Sequence, residues 1–380
     1  MPEAQSNVAV IFGGPSPEHD VSILTGLQAA RALGGTGGGA PRALYWAKTG
    51  DWYEVDPALE AGAFVAGIPR EAARLRLTLA GERGFWAEGG RLSRSRHLDV
   101  DVAVVCCHGG PGEDGSLQAA LDLAGIPYAG PTVAGAAIGM DKLAFAAVMS
   151  GAGLPCLPRV VLESGTGPVG FDGPYIVKPR FGGSSIGIDV VEDLATAKAR
   201  LGSNRHLRNG AVLEPYRPEL FDLQIAVRSW PEMSLSAIER PLRTPRAGGA
   251  GGEPEILGYA DKYVGGEGMA SAPRQLPAEI DAALASSLRD AALAVGRLSG
   301  VRGVARVDFL SDGTDLFVNE INTIPGSLAR YLWIDPPVPF ARLLADMVAE
   351  ARARPSHAYS SEGADGTVLR GASSIAAKLA

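Results

Sequence analysis

The run Val304-Ala305-Arg306-Val307-Asp308-Phe309 is answered, across the turn Ser311-Asp312-Gly313-Thr314-Asp315, by Phe317-Val318-Asn319-Glu320-Ile321-Asn322, and no other stretch constrains the fold as tightly. Both halves alternate apolar and polar residues, and strand side chains point alternately to opposite faces. The pattern predicts an antiparallel hairpin whose polar face carries Arg306 and Asp308 on one strand and Glu320 and Asn322 on the other. Two carboxylates and an amide oxygen make a hard-oxygen set suited to magnesium, which nucleotide phosphates and water commonly complete. Arg306 beside them supplies charge for a transferring phosphoryl group. A solvated, salt-bridged sheet face is the plainer reading of such alternation. The turn Asn322-Thr323-Ile324-Pro325-Gly326 directly after the hairpin weighs against it.

A second feature is Val177-Lys178-Pro179-Arg180-Phe181-Gly182-Gly183-Ser184-Ser185-Ile186-Gly187. A buried strand ending in lysine and opening into a glycine-serine loop sets a point charge beside backbone N–H groups that can approach phosphate oxygens. The order G-x-x-x-x-G-K-[ST] is absent, so this is no Walker loop. Gly13-Gly14 after the apolar run Val8 to Phe12 lacks the G-x-G-x-x-G spacing of a dinucleotide fold. Glu18 falls in the first turn of the next helix, where acidic side chains are favoured electrostatically. His108-Gly109-Gly110-Pro111-Gly112-Glu113-Asp114-Gly115 closes a parallel strand, the sheet end at which ligands bind in such folds. His19, His97, His206 and His357 show no metal-ligand spacing, and Cys106, Cys107 and Cys156 read as small buried hydrophobes.

A chain of 380 residues is longer than one core usually supports, and 46% hydrophobic with 20% charged residues describes a folded, multi-domain protein. The net charge of −7, with no basic stripe, predicts small-molecule chemistry and no nucleic-acid partner. Three cysteines give no disulfide framework, and no stretch reaches the roughly 18 apolar residues of a membrane span, so a cytoplasmic protein is expected. Strand, turn and helix patterns predict an open parallel α/β unit over residues 1–125, with strands at Ala43 to Trp46 and Val100 to Cys106 and a helix at Ser116 to Ala124. A small strand-rich unit follows over 126–210, then the hairpin unit over 211–355 with helices at Pro277 to Ser299 and Pro339 to Ala353, and a tail over 356–380. Residues 246–252 read as a glycine-rich surface loop, and 373–379 as a candidate short helix.

Taken in order, VAVIFGG with Ser16, Glu18, Asp20 and Ser22, then HGGPGEDGSLQ, GMDK, YIVKP with GGSS, ADKY, and ARVDFL followed by NEINTIPG resemble the D-alanine:D-alanine ligase family over residues 7 to 350. The resemblance implies an ATP-grasp fold, mixed α/β and α+β, preceded by a parallel α/β domain. It implies ATP with two magnesium ions, or manganese in their place, and a homodimer. On it, Lys142, Lys178 and the loop residues Gly183, Ser184 and Ser185 would hold ATP phosphates, Glu214 would meet the adenine amino group, and Asp222 the ribose hydroxyls. Asp308, Glu320 and Asn322 would bind the metal ions, and Lys262 would reach the transferring phosphate. Arg306, with the backbone at Gly326, would stabilise the oxyanion. Glu18 would face the first amino acid's ammonium group and link through Ser184 to Tyr263, and His108 would lie near that substrate. The implied reaction joins two D-alanines through an acyl phosphate, for peptidoglycan precursor synthesis.

One departure bears on the acceptor. Where the family usually places a serine that binds the second substrate's carboxylate, this chain has Tyr331, followed by Leu332. Arg330 or Ser327 would then have to replace it, or the acceptor is a different amino or hydroxy acid. A nucleotide-binding regulator without catalysis would require loss of Arg306, Asp308, Glu320 or Asn322, and all are present.

Overall fold

The computed structural model describes residues 7–35, 39–90, 94–242, 273–354, 359–372 and 374–375. The expected loop at 246–252 and all of 373–379 except 374–375 lie outside them.

Strand β1 (Val8–Gly13) is buried on both faces from Ala9 to Phe12, which is why it reads as an unbroken apolar run. Helix α1 (His19–Gly34) packs on it through Gly26, where an added Cβ would lie 2.3 Å from the Phe12 Cβ. Beside β1 run β2 (Arg42–Trp46), β7 (Val102–Val105) and β8 (Tyr128–Ala129), all parallel, with α2 (Ser116–Ala124) following β7. The expected all-parallel unit is corrected on the other side of β2. There β3 (Trp52–Val55), β4 (Ala73–Thr78), β5 (Gly84–Ala87) and β6 (Arg96–His97) continue antiparallel, giving one mixed sheet in the order β6-β5-β4-β3-β2-β1-β7-β8. These added strands are half wet, and β4 buries little besides Leu75, so they present no apolar run; the Trp46 and Trp52 rings stack at 4.9 Å across the junction.

Helix α3 (Val133–Met140) leads into α4 (Lys142–Gly151), whose first turn is capped by Asp141 accepting from Leu143 and Ala144 N–H. A small antiparallel sheet follows, built from β9 (Val160–Leu162), β10 (Tyr175–Pro179), β11 (Asp189–Val191) and β12 (Ala211–Pro215), with α5 (Leu194–Ser203) against it. The third sheet holds β13 (Phe221–Arg228), β14 (Ser234–Pro241), β15 (Arg274–Gln275), β16 (Val304–Ser311) and β17 (Leu316–Asn322) in the order β15-β14-β13-β16-β17. Helix α6 (Ala282–Leu298) packs Leu284, Leu288, Ala292 and Val295 against Val307 and Phe309, so the opposite, polar face of the hairpin is left for the site.

The chain then returns. The turn Gly326–Leu332 and helix α7 (Phe340–Ala353) bury Leu328, Ala329, Leu332, Leu343 and Met347 in the core of the first sheet. The C-terminal segment is thereby fastened to the N-terminal unit.

Gly26→Ala forces a methyl group into the Phe12 ring and is expected to destabilise the protein by about 1–3 kcal/mol. Gly151→Ala, in open space at the end of α4, is expected to be neutral or mildly stabilising; urea unfolding of both variants checks the pair.

Candidate active site

The hairpin register sets Asp308 opposite Glu320 and Arg306 opposite Asn322, so the four expected residues do share one surface. The row continues across the sheet, with Gln224 paired to Asp308 and Glu239 paired to Gln224. Like charges directly opposed across strands repel, and the structure answers with cations. Arg306 grips Asp308 with two bonds, Nε to Oδ1 at 2.7 Å and Nη2 to Oδ2 at 2.8 Å. Asn322 Nδ2 donates to Asp308 Oδ2 at 3.1 Å, and Lys142 Nζ lies 3.9 Å from Glu320 Oε2. Two opposed carboxylates with an amide beside them fit a hard divalent ion.

Between the small sheet and the hairpin lies a cleft of about 980 Å³, part of it open to solvent. Its apolar wall includes Leu157, Ile176, Ile188 and Leu310; its polar lining includes Lys142, Lys178, Ser185, Asp222, Asp308 and Glu320. A flat base and a charged tail are the ligand such a division suits. Lys142 Nζ donates to the Gly182 carbonyl. Burial pulls its ammonium below the ordinary lysine value, Glu320 opposes this, and nearby Lys178 and Arg159 add to it.

Lys178 and Arg159 hold the two oxygens of Glu214 at 2.9 Å and 2.7 Å. Burial alone would raise this carboxyl, yet the two cations hold it down to about 2. Arg159 also donates to the carbonyls of Lys142 and Asn319 at 2.6 and 3.3 Å. It thus ties α4, the small sheet and β17 together. Nothing in the sequence around Arg159 marked it.

Glu18 stands at the start of α1, and Ser184 Oγ donates to its Oε1, joining the first sheet's loop to the glycine-serine loop. Ser184 and Ser185 both have left-handed backbones, at φ 53° and 58°, a conformation that costs of order 1–3 kcal/mol per non-glycine residue. His108 is buried with both ring nitrogens engaged, Nδ1 at 2.6 Å from the Ile324 carbonyl and Nε2 at 2.8 Å from Thr25 Oγ1. A carbonyl only accepts, so Nδ1 carries the proton and the Thr25 hydroxyl donates to Nε2. Burial drives the His108 pKa down to about 4, so the ring is neutral near pH 7. Glu113, in the quoted HGGPGEDG motif but given no role in the sequence reading, accepts from the N–H groups of Gly109 and Ile324; its carboxyl is raised to about 7 by burial and by Glu18.

Gly326 opens a turn in which Ser327, Leu328 and Ala329 all have φ near 50°. The Ser327 N–H donates to Thr25 Oγ1 at 3.0 Å, and Leu332 is fully buried. Arg330, the alternative carboxylate ligand, is exposed, and its guanidinium lies 5.8 Å from the Phe340 ring. Tyr331 places its ring 4.8 Å from the Arg274 guanidinium and turns its buried hydroxyl toward the Glu239 carboxylate. Lys262 and Tyr263 lie outside those residues.

A cleft between a small antiparallel sheet and a carboxylate-bearing hairpin, preceded in the chain by a mixed-sheet α/β unit, defines an ATP-grasp protein. Two family profiles match the chain, "D-ala D-ala ligase N-terminus" over residues 7–131 and "D-ala D-ala ligase C-terminus" over 159–349. The chain belongs to the D-alanine:D-alanine ligase family. It is 30% identical to a D-alanine–D-alanine ligase of Bradyrhizobium sp. (strain ORS 278), covering 93% of this chain and 97% of the relative. A second D-alanine–D-alanine ligase, from Methylobacterium sp. (strain 4-46), is 32% identical with 93% of each chain covered. The crystal structure of D-alanyl-alanine synthetase A from Vibrio cholerae shares the fold at a TM-score of 0.74 and 20% identity, covering 92% of this chain and 98% of that one.

Breaking the Glu214 network leaves two buried cations unpaired, so Glu214→Gln is expected to lose about 3–5 kcal/mol at pH 7. Because the folded carboxyl is held below its ordinary value, this contribution is present above about pH 4.5 and is lost as the pH falls toward 2. Melting temperatures of wild type and variant should therefore converge on acidification; a constant gap would contradict the pairing.

Proposed function

We propose that this chain joins two D-alanines into D-alanyl-D-alanine at the expense of ATP, forming ADP and phosphate, as a step toward peptidoglycan precursor. The observation that carries the reading is the opposed Asp308–Glu320 pair with Arg306 and Asn322, facing a cleft that holds Lys142 and Lys178. A carboxylate is a poor electrophile. Transfer of the γ-phosphoryl group to a carboxylate oxygen of the first D-alanine gives an acyl phosphate and ADP. The amine of the second D-alanine then attacks the carbonyl carbon, phosphate leaves with the C–O bond pair, and the amine sheds its proton.

Asp308, Glu320 and Asn322 would hold divalent metal, two magnesium ions in this proposal or manganese in their place, which would neutralise charge on the phosphates. Lys142, Lys178, Gly183, Ser184 and Ser185 bind the phosphates, while Glu214 and Asp222 take the adenine and ribose ends. Arg306 and the Gly326 N–H face the oxyanion. Glu18 receives the first ammonium group. Roles for Lys262 and Tyr263 rest on the sequence match alone. The division into units at 1–125, 126–210 and 211–355 belongs to the same proposal, although the hydrophobic clusters cut across it: Ile324 to Ala351 pack in the core of the first unit, and Phe145 and Met149 in that of the third. A homodimer and a cytoplasmic location complete the proposal; among the described residues no helix is long and apolar enough to cross a membrane.

A different acceptor is the second reading, favoured by Tyr331. Its bulky side chain replaces the small hydroxyl on which the family's acceptor site usually relies.

Phosphate release from ATP and magnesium, screened over D-alanine, L-alanine, D-serine and D-lactate singly and in pairs with mass spectrometry of products, decides between them. D-alanyl-D-alanine from D-alanine alone is expected; turnover only with another acceptor would move the protein to the second reading. Arg306→Lys, which cannot reproduce the two-pronged grip, should lower kcat by about 10²–10³-fold with little change in the KM for ATP.

A further inference from the structure

We infer that Glu113 is a positioning residue: together with His108 it clamps the Ile324 peptide unit and so aims the turn carrying Asn322 and Gly326 at the substrate. The inference rests on the ligase reading for what the turn does, and on geometry alone for the clamp itself.

Ile324 is buried, and a buried peptide unit needs a partner for both its N–H and its C=O. Neither partner here comes from a neighbouring strand. The N–H donates to Glu113 Oε1 at 2.9 Å, and the C=O accepts from His108 Nδ1 at 2.6 Å. Both side chains belong to the single turn that closes β7, more than 200 residues earlier in sequence. Thr323 Oγ1 adds a bond to the same Glu113 oxygen at 3.2 Å, while the other oxygen accepts from Gly109 N–H at 3.0 Å. The carboxylate is therefore anchored within its own turn before it reaches across. Beyond the peptide unit, the Ser327 N–H meets Thr25 Oγ1, and Thr25 in turn donates to His108 Nε2.

The position of the clamp gives it its consequence. Thr323 directly follows Asn322, and Gly326 stands two residues past Ile324. The Ile324 peptide unit thus lies between Asn322, which donates to Asp308, and the N–H assigned to the oxyanion, and a shift at Ile324 moves both. Burying a carboxylate is costly compared with apolar packing of similar volume. Its use here is intelligible if orientation, which directional bonds fix and apolar contacts do not, is what the turn requires. Glu113 touches no substrate in this account, and both ring nitrogens of His108 are already engaged.

The test compares wild type with Glu113→Ala, Glu113→Gln and Ser229→Ala in the whole protein. Ser229 donates a buried bond to Glu350 at 2.6 Å and lies outside the cleft lining, so its loss reports what removing a buried bond does to stability alone. Glu113→Ala should lower kcat by about 10²-fold, the cost of a misplacement near 1 Å, with the KM for ATP within about twofold. Glu113→Gln, which keeps an oxygen for the Ile324 N–H, should recover about tenfold of that loss. Ser229→Ala should keep the wild-type kcat. Without any substrate, hydrogen exchange across residues 321–328 should accelerate about tenfold in Glu113→Ala and not in Ser229→Ala.

Unchanged exchange and kcat in Glu113→Ala, or an equal kcat loss in Ser229→Ala, would overturn the inference. If Glu113→Ala does not fold, Glu113→Gln decides: a kcat about tenfold low at unchanged ATP KM supports the clamp, and wild-type kcat and exchange refute it. Should the wild type ligate a pair other than two D-alanines, the acceptor reading fails while the same comparison runs on that pair.

Discussion

The grip of Arg306 on Asp308 is the interaction around which the rest of the site is arranged. Asp308 is 5% exposed and sits in a row of acidic and amide side chains that crosses four strands. A buried carboxylate facing others is tolerable only with positive charge at hand. Arg306 supplies it from the same strand, two residues away, and Lys142 supplies it at the Glu320 end. The same rule governs the far wall, where Glu214 is held between Lys178 and Arg159. The buried carboxylates on both walls are thus met by neighbours of opposite sign, and each wall of the cleft carries a lysine beside a carboxylate.

Such an arrangement works only if three separately folded cores stay in register. Arg159 binds one strand of the small sheet to the α4 start and to β17. Ser184 binds the glycine-serine loop to Glu18. The turn after the hairpin is held on both sides, by its hydrogen bonds with Glu113, His108 and Thr25 above, where the Ile324 and Ser327 N–H groups donate and the Ile324 carbonyl accepts, and by burial of Leu328, Ala329 and Leu332 in the first core below. Three consecutive left-handed residues at Ser327, Leu328 and Ala329 persist because these contacts over-determine the backbone.

How much of this was legible in sequence follows from where the physics is local. The hairpin declared itself because period two and a short turn are written in neighbouring residues, and its predicted shared face matches the observed register. Helix α2 was found with its bounds intact for the same reason. Strands β3 to β6 were missed, since half-wet antiparallel strands lack an apolar run and draw their stability from neighbours such as the Trp46 and Trp52 stack. Arg159 was invisible because its three partners are contributed by distant segments. Glu113 was in plain view within its motif, but its work on Ile324 spans 211 residues and no local pattern announces it. Glu239 extends the polar row by a strand, β14, that went unread.

The most direct test of the account counts metal. Electron paramagnetic resonance titration of Mn2+ in the presence of a non-hydrolysable ATP analogue should find two tightly bound ions per chain in the wild type, and Asp308→Asn should lose at least one of them. Retention of the full count in Asp308→Asn, or no nucleotide-dependent binding in the wild type, would contradict the assignment of the hairpin face as the metal and phosphate floor of the site.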